Sequence, residues 1–286
     1  MSAAAPAKST VTSVCEFFNE HGRLPRIEDP GPRPWHYWGW LLAYVILVNE
    51  THPAVPDRWG YHLRTLQAGK LLDEPIPRIE FSDHHYGQSL SPGLKMIQKL
   101  EDIIERDHGS WTAFNELVDW LAYGMAVSKE KPRNSDKISE ELYRTCNIEP
   151  WVKDPSDYLG SFLSERRASG WNKSGFFPTP HCICEMMVQM QMVMPIEDAR
   201  DPRTHSVNDP AVGTGRMLLH ASNLSMNLCG QDIDPLVVKI CLINGALYAP
   251  WLAFPLPATI IGERTVAAAS APVISESQVG QQLLFA

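Results

Sequence analysis

Residues 208–218 read Asn-Asp-Pro-Ala-Val-Gly-Thr-Gly-Arg-Met-Leu, between a short β-prone run at 206–208 and a helix-like stretch at 216–227. A strand that stops in a tight turn and opens a helix presents free backbone N–H groups to an anionic or carboxylate-bearing ligand. Gly213 and Gly215 permit positive φ in that turn and let a ligand approach the backbone closely. A G-x-G pair by itself is a weak signal, because many tight turns share it. Asp232 follows a second strand candidate at 228–231. A carboxylate there, taken alone, reads as a cap of the next helix. Asp234, directly before Pro235, reads as the N-cap of a helix at 236–248.

The elements that must hold these residues alternate. Strand candidates at 206–208, 228–231 and 259–261 are separated by the two helical stretches, a pattern that predicts a parallel sheet with helices on its faces. Such sheets bind ligands at the carboxyl ends of their strands. Upstream the chain reads differently. A short helix is expected at 14–20, a proline-rich loop at 24–34 and a helix over the apolar run 38–48. Leu94, Ile97, Leu100, Ile103 and Ile104 recur at spacings of three and four, which predicts an amphipathic helix over 94–106. Ser110 is the expected N-cap of the next one, where Trp111, Phe114, Leu117, Val118, Leu121 and Ala122 keep the same period. Residues 129–137, Lys-Glu-Lys-Pro-Arg-Asn-Ser-Asp-Lys, read as an exposed basic loop, able to touch phosphates or to serve as a solvated connection.

The composition is that of a globular protein: 286 residues, 44% hydrophobic and 20% charged. A net charge of −8 argues against nonspecific nucleic-acid binding by the whole surface and leaves room for a local basic strip. The six cysteines follow no secretory h-region and read as reduced thiols in a cytoplasmic protein. Cys182 and Cys184 form a C-x-C pair with no second pair at zinc-ligand spacing, so buried small side chains are expected and no metal. The run 38–48 is well short of the roughly 20 residues of a membrane helix.

The wider string Asp209-Pro210-Ala211-Val212-Gly213-Thr214-Gly215 resembles motif I of the adenine-N6 DNA methyltransferases, above all the modification subunit of type I restriction–modification systems. Three further segments match in order. Residues 175–180, Gly-Phe-Phe-Pro-Thr-Pro, resemble the upstream segment that folds over the cofactor; residues 230–235, Gly-Gln-Asp-Ile-Asp-Pro, resemble motif II; and residues 261–263, Ile-Gly-Glu, stand where motif III ends. The resemblance implies an α/β, Rossmann-like S-adenosylmethionine (SAM)-dependent fold with an incomplete sheet. It implies a helical region at 1–150, a SAM-binding domain at 151–265 and a flexible tail at 266–286. By position, Phe177, Thr179 and Pro180 would line the cofactor pocket. Asp209, Ala211, Gly213, Thr214 and Gly215 would surround the methionine portion. Asp232 would take the ribose hydroxyls, Ile233 the adenine face and Glu263 the adenine amino group.

The family's catalytic loop, Asn/Asp/Ser-Pro-Pro-Tyr/Phe, holds the target amine and stacks on the flipped base. No such string occurs in the chain, and the resemblance reads as truncated before it. The nearest string, Asp154-Pro155-Ser156-Asp157-Tyr158, reads as a helix start. The catalytic residues are therefore unknown. Three functions are weighed: a DNA adenine methyltransferase component completed by a second subunit or copy, a catalytically silent SAM binder that regulates DNA transactions, and an interaction scaffold that has lost SAM, against which the intact glycine turn and Asp232 argue. Arg166, Arg167 and Lys173 either face DNA phosphates or lie on a solvated helix face. Gln281, Leu284 and Phe285 resemble a sliding-clamp-binding peptide, or fold back onto the sheet edge. Met186, Met187, Met190, Met192 and Met194 are expected to fill space on a buried helix, and His181 to be structural.

Overall fold

The computed structural model describes residues 33–84, 90–168, 176–192 and 200–262, with the side chains of residues 110, 111 and 166–168 left aside. The helix expected at 14–20 lies outside the described residues. The first helices are α1 (Leu42–Thr51) and α2 (Arg58–Ala68). α1 starts later than the apolar run predicts. Gly39 takes φ 79°, and the N–H groups of Gly39 and Leu41 donate to the carbonyls of Tyr123 and Gly124 at 3.0 and 2.7 Å. The backbone ahead of the helix is spent on a tertiary contact. Asp57 caps α2 by accepting from the Gly60 N–H at 2.8 Å.

Next come α3 (Pro92–His108) and α4 (Ser110–Gly124). Ser91 caps α3 through the Leu94 N–H at 3.3 Å, and Leu94, Ile97, Leu100, Ile103 and Ile104 are buried as their spacing requires. The expected cap Ser110 is not one. Gly109, at φ 70°, holds the N-cap position of α4 with no side-chain hydrogen bond, and Ser110 is already in the first turn. The mostly exposed stretch from Lys129 leads into α5 (Asp136–Thr145), capped by Ser135, then α6 (Glu149–Lys153) and α7 (Tyr158–Ala168).

The helix α8 (His181–Met192) precedes β1 (Ser206–Asp209), α9 (Arg216–Ala221), β2 (Asn227–Gly230) and α10 (Pro235–Tyr248). β1 and β2 pair in parallel, Ser206 opposite Asn227 and Asp209 opposite Gly230. α9 is shorter than the expected 216–227. The Ser222 hydroxyl donates to the Leu219 carbonyl at 2.5 Å and Ser225 turns to the His205 carbonyl at 2.7 Å, so the polar residues close the helix and lead into β2. The third strand expected at 259–261 is instead the last turn of helix. After α11 (Pro250–Ala253), α12 spans Ala258–Ile261. Pro257 presets the first turn, and the N–H groups of Ile260 and Ile261 return to its carbonyl. A run of three apolar residues carries no period that separates strand from helix. On α8 the methionine expectation also fails: Cys184 and Val188 are buried, while Met186, Met187 and Met190 are exposed, Met190 at 66%. Met192 packs partly against the core, and Met194 lies outside the described residues. Cys182 is exposed, not buried.

A continuous hydrophobic core runs from Leu41 to Ile261 through the helical region and the sheet region. α10 threads it, buried from Val237 to Tyr248 except at Lys239, which pairs with Asp119 at 2.7 Å and Glu130 at 3.0 Å. Arg58 fastens the two regions. Its five N–H groups donate to Pro77 O, Ser222 Oγ and O, Tyr248 O and Asn223 Oδ1 at 2.6–3.2 Å, and its guanidinium lies over the Trp251 ring at 4.9 Å. Burial pulls its pKa down to about 9, which still leaves it charged at neutral pH. No helix among the described residues is long and apolar enough to cross a membrane. Arg58→Met strands this whole set of acceptors, and denaturant unfolding should show a loss of about 3–4 kcal/mol.

Candidate ligand-binding site

β1 ends at Asp209, whose carboxylate accepts the Ala211 N–H at 3.1 Å. The loops after the two strands are laced together: the Val212 N–H donates to the Gln231 carbonyl at 2.9 Å, and the Gln231 N–H to the Asp209 carbonyl at 3.0 Å. Gly213 and Gly215 take φ 51° and 90°. A Cβ on Gly215 would lie 2.6 Å from Cys241 Sγ, so this glycine also lets α9 approach α10. Asp232 faces the turn. Its Oδ2 accepts the Gly213 N–H and its Oδ1 the Asp234 N–H, both at 2.9 Å. A carboxylate has about four acceptor positions, so about two remain for a ligand. Asp234 in turn caps α10 through the Leu236 N–H at 3.0 Å, as expected.

A cavity of about 330 Å³ opens on this turn, within the range of about 300–1,000 Å³ common for small-molecule sites. Of the sequence-predicted residues, Phe177 and Thr179 line it from one side, Asp209, Ala211, Gly213 and Thr214 from the glycine turn, and Asp232 and Ile233 from the second loop. Phe177 is 80% and Ile233 90% exposed, two apolar side chains left open at the cavity among the described residues. Gly215 and Pro180 stand outside the lining; the Pro180 carbonyl instead accepts the Ile183 and Cys184 N–H groups of α8. Glu263, Lys173, Gln281, Leu284 and Phe285 lie outside the described residues. Arg166 and Arg167 fall on α7, with side chains outside the description. Burial raises the Asp209 pKa, its hydrogen bond from Ala211 opposes this, and the Asp232 charge adds to the rise. Burial pushes the Cys184 thiol of the same wall up to about 11, so it is a neutral lining group.

Beneath the cavity lies a polar network that the sequence reading missed. Asp157, fully buried, caps α7 through the Gly160 N–H at 2.9 Å. Its carboxylate also accepts from Thr214 Oγ1 at 2.5 Å, Arg216 Nε at 2.8 Å and Asn244 Nδ2 at 2.9 Å. Asn244 Nδ2 reaches the Thr214 carbonyl too, at 2.9 Å. Arg216 continues to the Thr179 carbonyl at 3.0 Å and the Ser161 hydroxyl at 2.9 Å. One carboxylate thus ties α7, the glycine turn, α9 and α10 together. Burial alone would raise its pKa; the Arg216 charge and the bonds from Thr214, Arg216 and Asn244 outweigh that and hold it below the ordinary value. Two signals stood in the sequence. An arginine opening a helix opposes the helix dipole unless a carboxylate meets it, and a lone asparagine in the apolar run of α10 needs a buried partner.

Residues 157–249 match the family model for N-6 DNA Methylase. The matched segment begins at Asp157 and contains the glycine turn, Asp232 and Asn244, and it spans about a third of the chain. It supports the adenine-N6 methyltransferase family for this segment. No curated protein and no solved structure matches the chain.

Within the matched segment His181 is structural in its contacts. The Asp157 N–H donates to its Nε2 at 3.4 Å, which places its proton on Nδ1, 3.0 Å from His220 Nε2. Asp83 accepts the His181 N–H at 3.0 Å and so closes the start of α8. Burial, with the Arg216 charge, pulls the His181 pKa down to about 4, and burial lowers that of His220 as well. The folded state therefore holds His181 neutral while the unfolded chain takes up its proton from about 6.5 downward. Its contribution is complete above about pH 6.5 and is lost as the pH falls toward 4, about 3 kcal/mol in all. Denaturant titrations across that window should show the decline, and a shallower one in His181→Gln. Asp157→Ala leaves the buried Arg216 charge only the longer pairing with Asp83 at 3.4 Å and strands the Thr214 and Asn244 donors; it should lose about 3–5 kcal/mol at neutral pH, read by the same titrations.

Proposed function

We propose that the cavity binds SAM and that the chain serves adenine-N6 methylation of DNA. The observation that carries this reading is Asp232, bound to the glycine turn through one oxygen and with about two acceptor positions left at the cavity. That geometry suits a pair of ribose hydroxyls, with charge-assisted bonds. Ile233 and Phe177, exposed at the same cavity, suit the flat adenine ring, which would take both out of water. Asp209 and Asp232 make the wall acidic, complementary to the positive sulfonium and ammonium of the cofactor. Ala211, Gly213 and Thr214 bring backbone and a hydroxyl to its methionine portion. When bound, SAM supplies an activated methyl group for transfer to an amine. The strand–helix order from β1 to α10 is taken as the first part of a Rossmann-like sheet.

The chain has no Asn/Asp/Ser-Pro-Pro-Tyr/Phe string, and the group that holds the adenine amine is assigned to a second subunit or copy. Arg166 and Arg167 on α7 are the proposed contacts to DNA phosphates. The same missing string favours a second reading, a silent SAM binder that regulates DNA transactions. A methyl-transfer assay with and without added partner separates the two. For the cofactor itself, calorimetric titration of SAM should show saturable binding that Asp232→Ala weakens by about 1.5–3 kcal/mol. No heat from the intact protein would overturn both readings.

A further inference from the structure

A second cavity, about 370 Å³, lies in the helical region, where the chain ahead of α1 meets the end of α4 and the basic loop 129–137. It shares no lining residue with the first cavity. Asn134 lines it, and both the amide nitrogen and the oxygen of this side chain are buried without a hydrogen-bond partner. A native chain rarely leaves a donor and an acceptor buried and idle, and an exception calls for an occupant such as a water, an ion or a ligand.

The charge around the cavity is uneven. Lys131 lines it and is exposed, and Lys129, Arg133 and Lys137 are exposed on the same stretch. None of these four side chains forms an ion pair among the described residues. The acids beside them are engaged by other groups. Glu130 pairs with Lys239 at 3.0 Å. Asp136 pairs with Arg33 at 2.5 Å and His36 at 2.6 Å, and accepts the Trp35 indole N–H at 2.9 Å. Glu116 accepts the Arg133 backbone N–H at 3.3 Å. What is left over is positive charge next to an unsatisfied carboxamide.

We propose that this cavity is a nucleotide site, in which Asn134 reads the edge of a base and Lys131 holds the attached phosphate. A planar amide with one donor and one acceptor matches the amino-and-ring-nitrogen edge of a base. A phosphodiester offers no donor to the Asn134 oxygen, whereas a base edge offers both a donor and an acceptor, which is why the base belongs to the site. Unpaired ammonium groups supply the salt-sensitive part of the affinity. The nucleotide is either free or part of a strand. The site is independent of SAM binding at the first cavity.

The test is fluorescence anisotropy of the full chain with a short labelled single-stranded oligonucleotide over a salt series. Lys131→Glu should weaken binding about tenfold or more and lower the slope of log affinity against log salt by about 1. Asn134→Ala should weaken it roughly fivefold or more with the slope unchanged. Lys70→Glu, an exposed charge reversal after α2, should leave binding as it is. Lys131 is exposed, so its variant keeps the test informative even where Asn134→Ala fails to fold. Adenosine monophosphate should displace the oligonucleotide if the site takes a free nucleotide; displacement only by an unlabelled strand assigns it to a nucleotide within a chain. No oligonucleotide binding, equal binding by Lys131→Glu, or displacement as strong by inorganic phosphate or an acidic peptide overturns the proposal.

Discussion

The buried pair of Asp157 and Arg216 is the constraint on which the sheet end of the molecule depends. Two opposite charges taken out of water repay their desolvation only when the remaining lone pairs and N–H groups are also satisfied. Here the carboxylate accepts from Gly160, Thr214, Arg216 and Asn244, and Arg216 spends its other nitrogens on Thr179 and Ser161. The partners come from four segments. The charge can be buried only when α7, the approach to α8, the glycine turn and α10 are all in position together. The turn that lines the cavity is therefore held from beneath by the same bonds that make the fold cooperative.

The rest of the architecture supplies what that network needs. α10 carries Asn244 to it on a helix immersed in the core, and Gly215 allows α9 to close on Cys241. Arg58 plays a similar part at the C-terminal end of α10, with oxygens of dipoles and not a carboxylate as its partners. The two buried cations solve one problem differently. Arg58 is shared among several neutral acceptors and an aromatic ring, whereas Arg216 meets a full negative charge. In both cases breaking one partner leaves the others stranded, which fixes the relative placement of helices far apart in sequence.

Rigidity beneath the cavity contrasts with exposure above it. The carboxylates of Asp209 and Asp232 are held by backbone N–H groups, while Phe177 and Ile233 stand in solvent. A preorganised polar floor with apolar side chains at its edge lets a ligand gain hydrogen bonds without reordering the loop.

Much of this was legible in the residues. The glycine turn, Asp232 after a strand and the Asp234 cap follow from local chemistry: positive φ favours glycine, and an N-cap needs a short polar side chain next to the helix it serves. The buried stripe of α3 follows from its period. Other features had no local signal. The 259–261 segment was too short to show a period, and a proline turned it into helix. The methionines of α8 have the spacing of a buried stripe, yet Met186, Met187 and Met190 are exposed; burial is a property of neighbours, which a period does not name. Asp157 read as an ordinary helix start because its local role is only that, a cap on Gly160. Its meeting with Thr214, Arg216 and Asn244 joins residues 57 to 87 positions apart. The sequence by itself determined the turn and its carboxylate, since those depend on adjacent residues; the tertiary structure alone decided which distant groups share a buried charge.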